Sequence, residues 1–435
     1  MMIFLSLIQL SVSLFALLYA IKVLKSGLPS LLAIHLILII VLVSLGVALA
    51  PYFPIETLSY VNNPNTVSLI RDIEPAIYFR QCLGHWLFLC VAIVGLRWEK
   101  SWPTMKPNKK KRARRPISWG YMIFILGILL SIKYYLFGPG WTILRSTELV
   151  FSSTSEAVAH RVLGYQEAGF GQGNYMASVA AYIFFPLSAA IITLKKNRLN
   201  WIFFVLAAVN SLAYAFQTRQ KAPLLWTVIT YLLLLYLSKR ESRHKRSFSR
   251  MLTASVLVGS VGSVVLYMVN FGHSLQSAVE RFFCRLFLVP ASSETNFFVI
   301  FPDSFPFRGI AHVFEIPLGR TLVTDMVSIY DVARAATGEA HAANASFLAV
   351  AWSATGFTGV LIVSLFLVVS LVFLDRAFSS MDRKFFYIAL ALSPIYMISI
   401  ISDGISTYIG RGGVIVPLML FLMTKAPALS FKTRR

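Results

Sequence analysis

Long apolar runs broken by short charged clusters set the pattern of this chain. Runs of about the length a bilayer core requires lie near residues 2 to 24, 30 to 52, 77 to 96, 118 to 137, 174 to 194, 200 to 216, 222 to 238, 251 to 271, 346 to 374, 385 to 402 and 412 to 424. Read as helices, they predict an all-α, polytopic membrane protein with about eleven transmembrane helices in one integral membrane domain, 1–435. A mean hydropathy of +0.71 is far above that of a water-soluble domain.

Charge then orients the runs. With the amino terminus outside, the inner segments are Lys22/Lys25, Arg97 to Arg115, Lys195 to Arg198, Lys239 to Arg250, Arg376 to Lys384 and the tail from Lys425. These hold most of the 40 basic residues and only four acids, Glu99, Glu241, Asp375 and Asp382. That asymmetry is the positive-inside pattern. It also accounts for the net charge of +22 without nucleic acid, because Lys109-Lys110-Lys111-Arg112 falls where topology signals and anionic lipid contacts belong. Lys22 and Lys25 follow the first apolar run instead of preceding it, so the run predicts a retained anchor and not a cleaved signal. The three cysteines offer no external disulfide pair, and no Cys/His cluster has metal-ligand spacing.

No predicted span carries Asp, Glu or Lys near its centre, so the polar chemistry is expected outside. The longest outer segment, 272–345, is expected to be a loop built of short helices over the membrane core. Ser277 to Leu288 reads as an amphipathic interface helix, and Gly319 to Val332 as a second short helix.

Several cations in the outer segments suit an anion. Arg281 and Arg285 are four residues apart, a spacing that puts two guanidinium groups on one helix face and fits a diphosphate. The alternative is snorkelling to lipid phosphates or pairing with Glu280 and Glu294. Arg219 and Lys221 stand in the turn Gln217-Thr218-Arg219-Gln220-Lys221 against the positive-inside tendency, with Pro223 opening the next helix. A solvated turn is the competing reading. Arg411 lies in Ile409-Gly410-Arg411-Gly412-Gly413, where glycines allow a headgroup to approach the backbone, or where Asp403 closes an ion pair. Arg320 is a further cation in the outer loop. His341 is a candidate proton acceptor, with Glu315, Asp325 and His312 as rivals, although a lone loop histidine is more often merely solvated.

Together these residues suggest an anionic, membrane-held substrate. The segment His341-Ala-Ala-Asn-Ala-Ser-Phe-Leu-Ala-Val-Ala-Trp-Ser-Ala-Thr-Gly-Phe-Thr-Gly359 resembles a stretch of the O-antigen polymerase and ligase superfamily, and the Thr218-Arg219 turn is similar to that family's Ser/Thr-Arg turn. The many spans with one dominant outer loop resemble its Wzy-type oligosaccharide repeat-unit polymerases.

The resemblance implies a GT-C-like membrane glycosyltransferase of the bacterial inner membrane, with its amino terminus periplasmic and its carboxyl terminus cytoplasmic. It would move a growing glycan from undecaprenyl diphosphate to the non-reducing end of a new lipid-linked repeat unit on the periplasmic face. The transfer would invert the anomeric centre and use no cofactor, nucleotide sugar or metal. On this reading Arg281 and Arg285 hold the diphosphate, Arg219, Lys221, Arg320 and Arg411 give further anion contacts, and His341 or Glu315 acts as base. The implied partners are the undecaprenyl diphosphate-linked glycan, membrane lipid, a chain-length regulator and a flippase, with no nucleic acid. An O-antigen ligase and a lipid-linked oligosaccharide flippase are the alternatives.

Overall fold

The computed structural model describes residues 1–26, 30–52, 74–101, 119–137, 177, 179–194, 198–218, 274–314, 346–379 and 383–403, with isolated positions within 227–268 and 332–336. Among the described residues every regular element is helical. In chain order they are α1 (Met2–Ser26), α2 (Leu31–Tyr52), α3 (Pro75–Ser101), α4 (Trp119–Phe137), α5 (Phe185–Leu194), α6 (Arg198–Thr218), α7 (Leu275–Phe283), α8 (Val289–Ile300), α9 (Phe347–Thr355), α10 (Phe357–Ser379) and α11 (Arg383–Asp403).

The protein is a multi-pass membrane protein, but the expected eleven spans are not found among the described residues. Among the described residues four helices are long and apolar enough to cross a bilayer: Met2–Leu24, Leu31–Tyr52, Pro75–Glu99 and Phe357–Phe378. The expectation counted every apolar run as a span. Among the described residues Ala180–Ile192 and Arg198–Tyr214 are apolar stretches below the roughly 20 residues that cross the hydrocarbon core, although the helices that hold them run on to Leu194 and Thr218. The segments near 222–238, 251–271 and 412–424 lie wholly or mostly outside the described residues.

The chain forms two compact units: residues 1–104, 246–376 and 397–408 make the first, and 105–245, 377–396 and 409–435 the second. In the first, α2 is the enclosed helix, with Leu31, Leu32, Leu36, Ile39, Val43 and Val47 all buried. α1 packs on α2 and α3 while Ile3, Phe4, Leu7, Phe15 and Leu18 remain exposed, as an outward-facing apolar stripe on a membrane helix should. Local chemistry fixes the helix starts. Ser30 caps α2 by accepting the Ala33 N–H at 3.1 Å, Pro75 opens α3 where its missing N–H is harmless, and Ser274 caps α7 by accepting the Ser277 N–H.

Two helical segments widen into π turns just before a proline. Cys284–Leu288 precedes Pro290, and Ala180–Phe184 precedes Pro186. Proline has no N–H to return to the preceding turn, and a π turn shifts the hydrogen-bond register around that gap. Residues 275–300 consequently run as one helical rod, α7, π turn and α8, instead of the short surface helices expected there. Its first part has the expected amphipathic character, with Leu275 and Val279 exposed and Ala278 buried. Its second part is unlike a surface loop: Ala291, Ser292, Ser293, Glu294, Thr295, Asn296, Phe297, Phe298 and Ile300 are all buried. α8 packs against α2, α3 and α9. Close approach is possible because α2 carries glycine at position 46, where any Cβ would collide with the Phe287 carbonyl.

The second unit is described chiefly by α4, α5 and α6. The Asn210 side chain of α6 accepts a hydrogen bond from Ser131 on α4 and donates one to the Ala177 carbonyl at 3.3 Å. Tyr182 and Tyr214 meet edge to face, with ring centroids 6.0 Å apart.

Candidate functional site

The richest polar arrangement lies between α2, α3, α8 and the start of α9. Along α3, Tyr78, Gln81, Cys82 and His85 recur at helical spacing on one face, and each is buried. The Tyr78 hydroxyl donates to the Val47 carbonyl at 2.9 Å. Gln81 Nε2 donates to the Ala291 carbonyl at 3.3 Å, and its Oε1 accepts from the Thr295 hydroxyl at 2.9 Å. These bonds stitch α3 to α2 and α8.

One turn further along α3, His85 Nε2 lies 2.9 Å from Glu294 Oε1, and both side chains are fully buried. The other ring nitrogen, Nδ1, lies 2.8 Å from Ser44 Oγ in the π turn Ile40–Ser44 of α2. The second Glu294 oxygen accepts from Ser346 Oγ at 2.9 Å. Ser346 caps α9, and its Oγ also accepts the Leu348 N–H at 3.2 Å. A continuous chain of hydrogen bonds therefore runs Ser44, His85, Glu294, Ser346 through the interior of the first unit. A carboxylate in such surroundings needs compensation on both oxygens, and here it has it.

Two neighbours complete the picture. His35 of α2 is buried with neither ring nitrogen hydrogen-bonded among the described residues, its ring 6.0 Å from Phe88 and 6.1 Å from Phe347. Asn296, two residues beyond Glu294, is buried with neither amide atom paired among the described residues. The π turns Ile40–Ser44 and Cys284–Leu288 pack against each other beside this cluster. Among the described residues no three His, Cys, Asp or Glu side chains are grouped to hold a metal ion.

The predicted site residues are described only in part. Arg281 sits in the last turn of α7 and is half-buried. Arg285 lies in the π turn that follows, and its side chain is outside the described residues. Because the helix changes hydrogen-bonding register at Cys284, the two arginines are not joined by the uniform α-helical spacing expected of them. Glu280 accepts from Gln276 Nε2 at 3.0 Å, and Glu294, offered as a partner for the arginines, is engaged by His85 and Ser346 instead. His312 is buried in the short 3-10 turn Ile310–Phe314. Arg219, Lys221, Glu315, Arg320, Asp325, His341 and Arg411 lie outside the described residues.

The segment expected to begin at His341 is described from Ser346. Phe347, Leu348 and Trp352 are buried, and Trp352 Nε1 donates to the Phe301 carbonyl at 3.0 Å. Its two glycines have structural reasons: Gly356 ends α9 with φ +64, and a Cβ at Gly359 would collide with the Ala351 carbonyl.

Sequence reasoning missed Ser44, His85, Glu294 and Ser346 as a set. A signal was present in Ser292-Ser293-Glu294-Thr295-Asn296, five successive polar residues between apolar ones, and in a histidine central to the third apolar run. No family model, no curated protein and no solved structure matches this chain.

Proposed function

We propose that this protein is a membrane glycosyltransferase that polymerises oligosaccharide repeat units carried on undecaprenyl diphosphate at the outer face of the bacterial inner membrane. The observation that supports this reading best is the bond from Ser346 to Glu294. It ties the start of α9, which carries the segment resembling the polymerases, to the helical rod that bears Arg281 at its interfacial end. Arg281 and the start of α9 thus belong to elements joined by a buried hydrogen bond.

In the proposed reaction an acceptor hydroxyl oxygen bonds to the anomeric carbon of the growing glycan as the bond from that carbon to the lipid diphosphate breaks. Arg281, with Arg285, Arg219, Lys221, Arg320 and Arg411, neutralises the departing diphosphate, and His341 or Glu315 takes the acceptor proton. Sidedness, with the amino terminus periplasmic, follows from the distribution of basic residues.

The test is incubation of the purified protein in nanodiscs with a lipid-linked repeat unit, followed by gel separation. A ladder of lengths that disappears in Arg281→Ala and His341→Ala supports polymerisation. No product from wild-type protein overturns it, and a single transfer to a lipid A core acceptor makes the protein a ligase.

One observation favours a second reading, movement of the lipid-linked oligosaccharide across the membrane. The interior expected to lack a carboxylate holds Glu294 paired with His85, and ionisable pairs of this kind mark transport and proton pathways. Proteoliposomes containing a fluorescent lipid-linked sugar separate the two: protected label without chain growth indicates a flippase.

A further inference from the structure

We propose that the Ser44–His85–Glu294–Ser346 chain is a proton-binding relay, which takes up and releases one proton inside the membrane-embedded unit without rearrangement of its heavy atoms. The inference does not depend on what the protein does to a glycan.

The hydrogen-bond directions leave few choices. Ser346 Oγ accepts the Leu348 N–H, so its own proton goes to Glu294 Oε2, which must accept. Glu294 Oε1 and His85 Nε2 then share whatever proton lies between them, and Nδ1 meets Ser44 Oγ. Two loadings fit the same positions. In one, Ser44 donates to Nδ1 and Nε2–H donates to the carboxylate, which leaves the cluster with one negative charge. In the other, a proton has been added: Nδ1–H donates to Ser44 Oγ, and the pair is an imidazolium with a carboxylate, or equivalently an imidazole with a carboxylic acid. That state is neutral overall.

No bond other than those to hydrogen changes between the two. Both ends of the chain are hydroxyls, which can pass a proton onward.

The nearby ionisable groups are few. α8 carries no ionisable residue besides Glu294, and α9 carries none. α3 presents Cys82 toward Glu294, with Tyr78 and Arg80 a turn or two earlier, and α2 contributes His35 and Tyr52. The turn before α8 contains Cys284 and Arg285, and α1, packed on α3, carries Tyr19, Lys22 and Lys25 toward its carboxyl end. Arg80 pairs at long range with Asp303, 3.9 Å away, and both of those side chains are partly exposed. Among the described residues hydrogen-bonded to Glu294 or His85 there is no lysine or arginine. In the proposal the pair itself takes the proton.

The experiment is pH-difference infrared spectroscopy of the full-length protein in nanodiscs, with histidine labelled on the ring nitrogens for parallel NMR. Wild-type protein should show a titrating carboxyl and imidazole signal absent from Glu294→Gln, and His85→Gln should abolish or displace the same carboxyl signal. Ser44→Ala, which removes one hydroxyl and leaves the pair, should shift the midpoint and the His85 nitrogen resonances. It serves as the decisive variant if the other two fail to fold. Identical pH-difference spectra for wild type, Ser44→Ala and any folded variant of the pair would overturn the proposal.

Discussion

Both carboxylate oxygens of Asp375, at the end of α10, accept the backbone N–H of Leu31 at the start of α2, at 2.9 and 2.7 Å. The contact spans most of the sequence and seals the first turn of the largely buried α2. Beside it, Ser30 donates to Glu99 at 2.8 Å and Arg376 donates to the Glu99 carbonyl at 2.7 Å, so α2, α3 and α10 are held together at one end. A helix amino terminus favours negative charge and needs acceptors for its open N–H groups, and Asp375 supplies both. Asp375→Ala should lower unfolding stability in detergent by about 1–2 kcal/mol, while Asp375→Asn, which keeps one acceptor, should lose less. Thermal unfolding of the two variants checks the order.

The contact of Gly46 with Phe287 makes a steric prediction. A methyl at Gly46 would strike a main-chain carbonyl in the π turn, which cannot swing aside. At Gly95 the obstruction is the Val368 Cγ1 methyl, a side-chain atom with some freedom. Gly46→Ala should therefore destabilise by about 1–3 kcal/mol, and Gly95→Ala by less. Equal melting temperatures for the two variants would contradict the packing described here.

The cysteines give a prediction in which pH has a definite sign. Cys82 and Cys284 are buried and Cys90 is exposed on α3. Burial pushes the Cys284 thiol up to about 11, with nearby Glu280 acting in the same direction. Because the folded value lies above that of an unfolded thiol, roughly 8.5, the protein favours the protonated form. Any stability that this contributes is complete below the unfolded value and is lost as pH rises toward the folded one. At pH near 8 a maleimide should spare Cys284 in the folded protein and label it once the protein is unfolded, since the thiolate is the reactive species. Mass spectrometry of the labelled protein identifies the modified residue.

The helical class and an amphipathic helix from Ser277 were legible because periodicity and hydropathy act locally, although the helix begins two residues earlier, at Leu275. Span number was not, because apolar composition alone does not tell a helix that packs inside the protein from one that crosses the bilayer. The buried chain around Glu294 was hidden for a different reason. Its members come from positions 44, 85, 294 and 346, and only packing brings them together. A carboxylate within 272–345 was read as surface chemistry because the segment looked like a loop. Its placement in the core depends on Gly46 letting the rod approach α2 and on the π turn absorbing Pro290. Neither condition has a local signature strong enough to read in advance.

Asn296 makes the clearest contrast between a polar group that the fold requires and one that it tolerates. Glu294 is bonded through both oxygens, so its replacement by Leu strands His85 and Ser346 and should destabilise by about 3–5 kcal/mol. Asn296 sits on the same buried helix with neither amide atom paired among the described residues, and burying such a group unpaired costs about 1–3 kcal/mol. Asn296→Leu, which has the same branching and no polar atom to leave unpaired, should therefore leave stability unchanged or raise it. Melting temperatures of the two variants in the same nanodiscs decide the matter. If Asn296→Leu is as harmful as Glu294→Leu, the asparagine is part of the polar network. If it is stabilising yet abolishes chain growth in the gel assay, Asn296 is held in the core for function and not for folding.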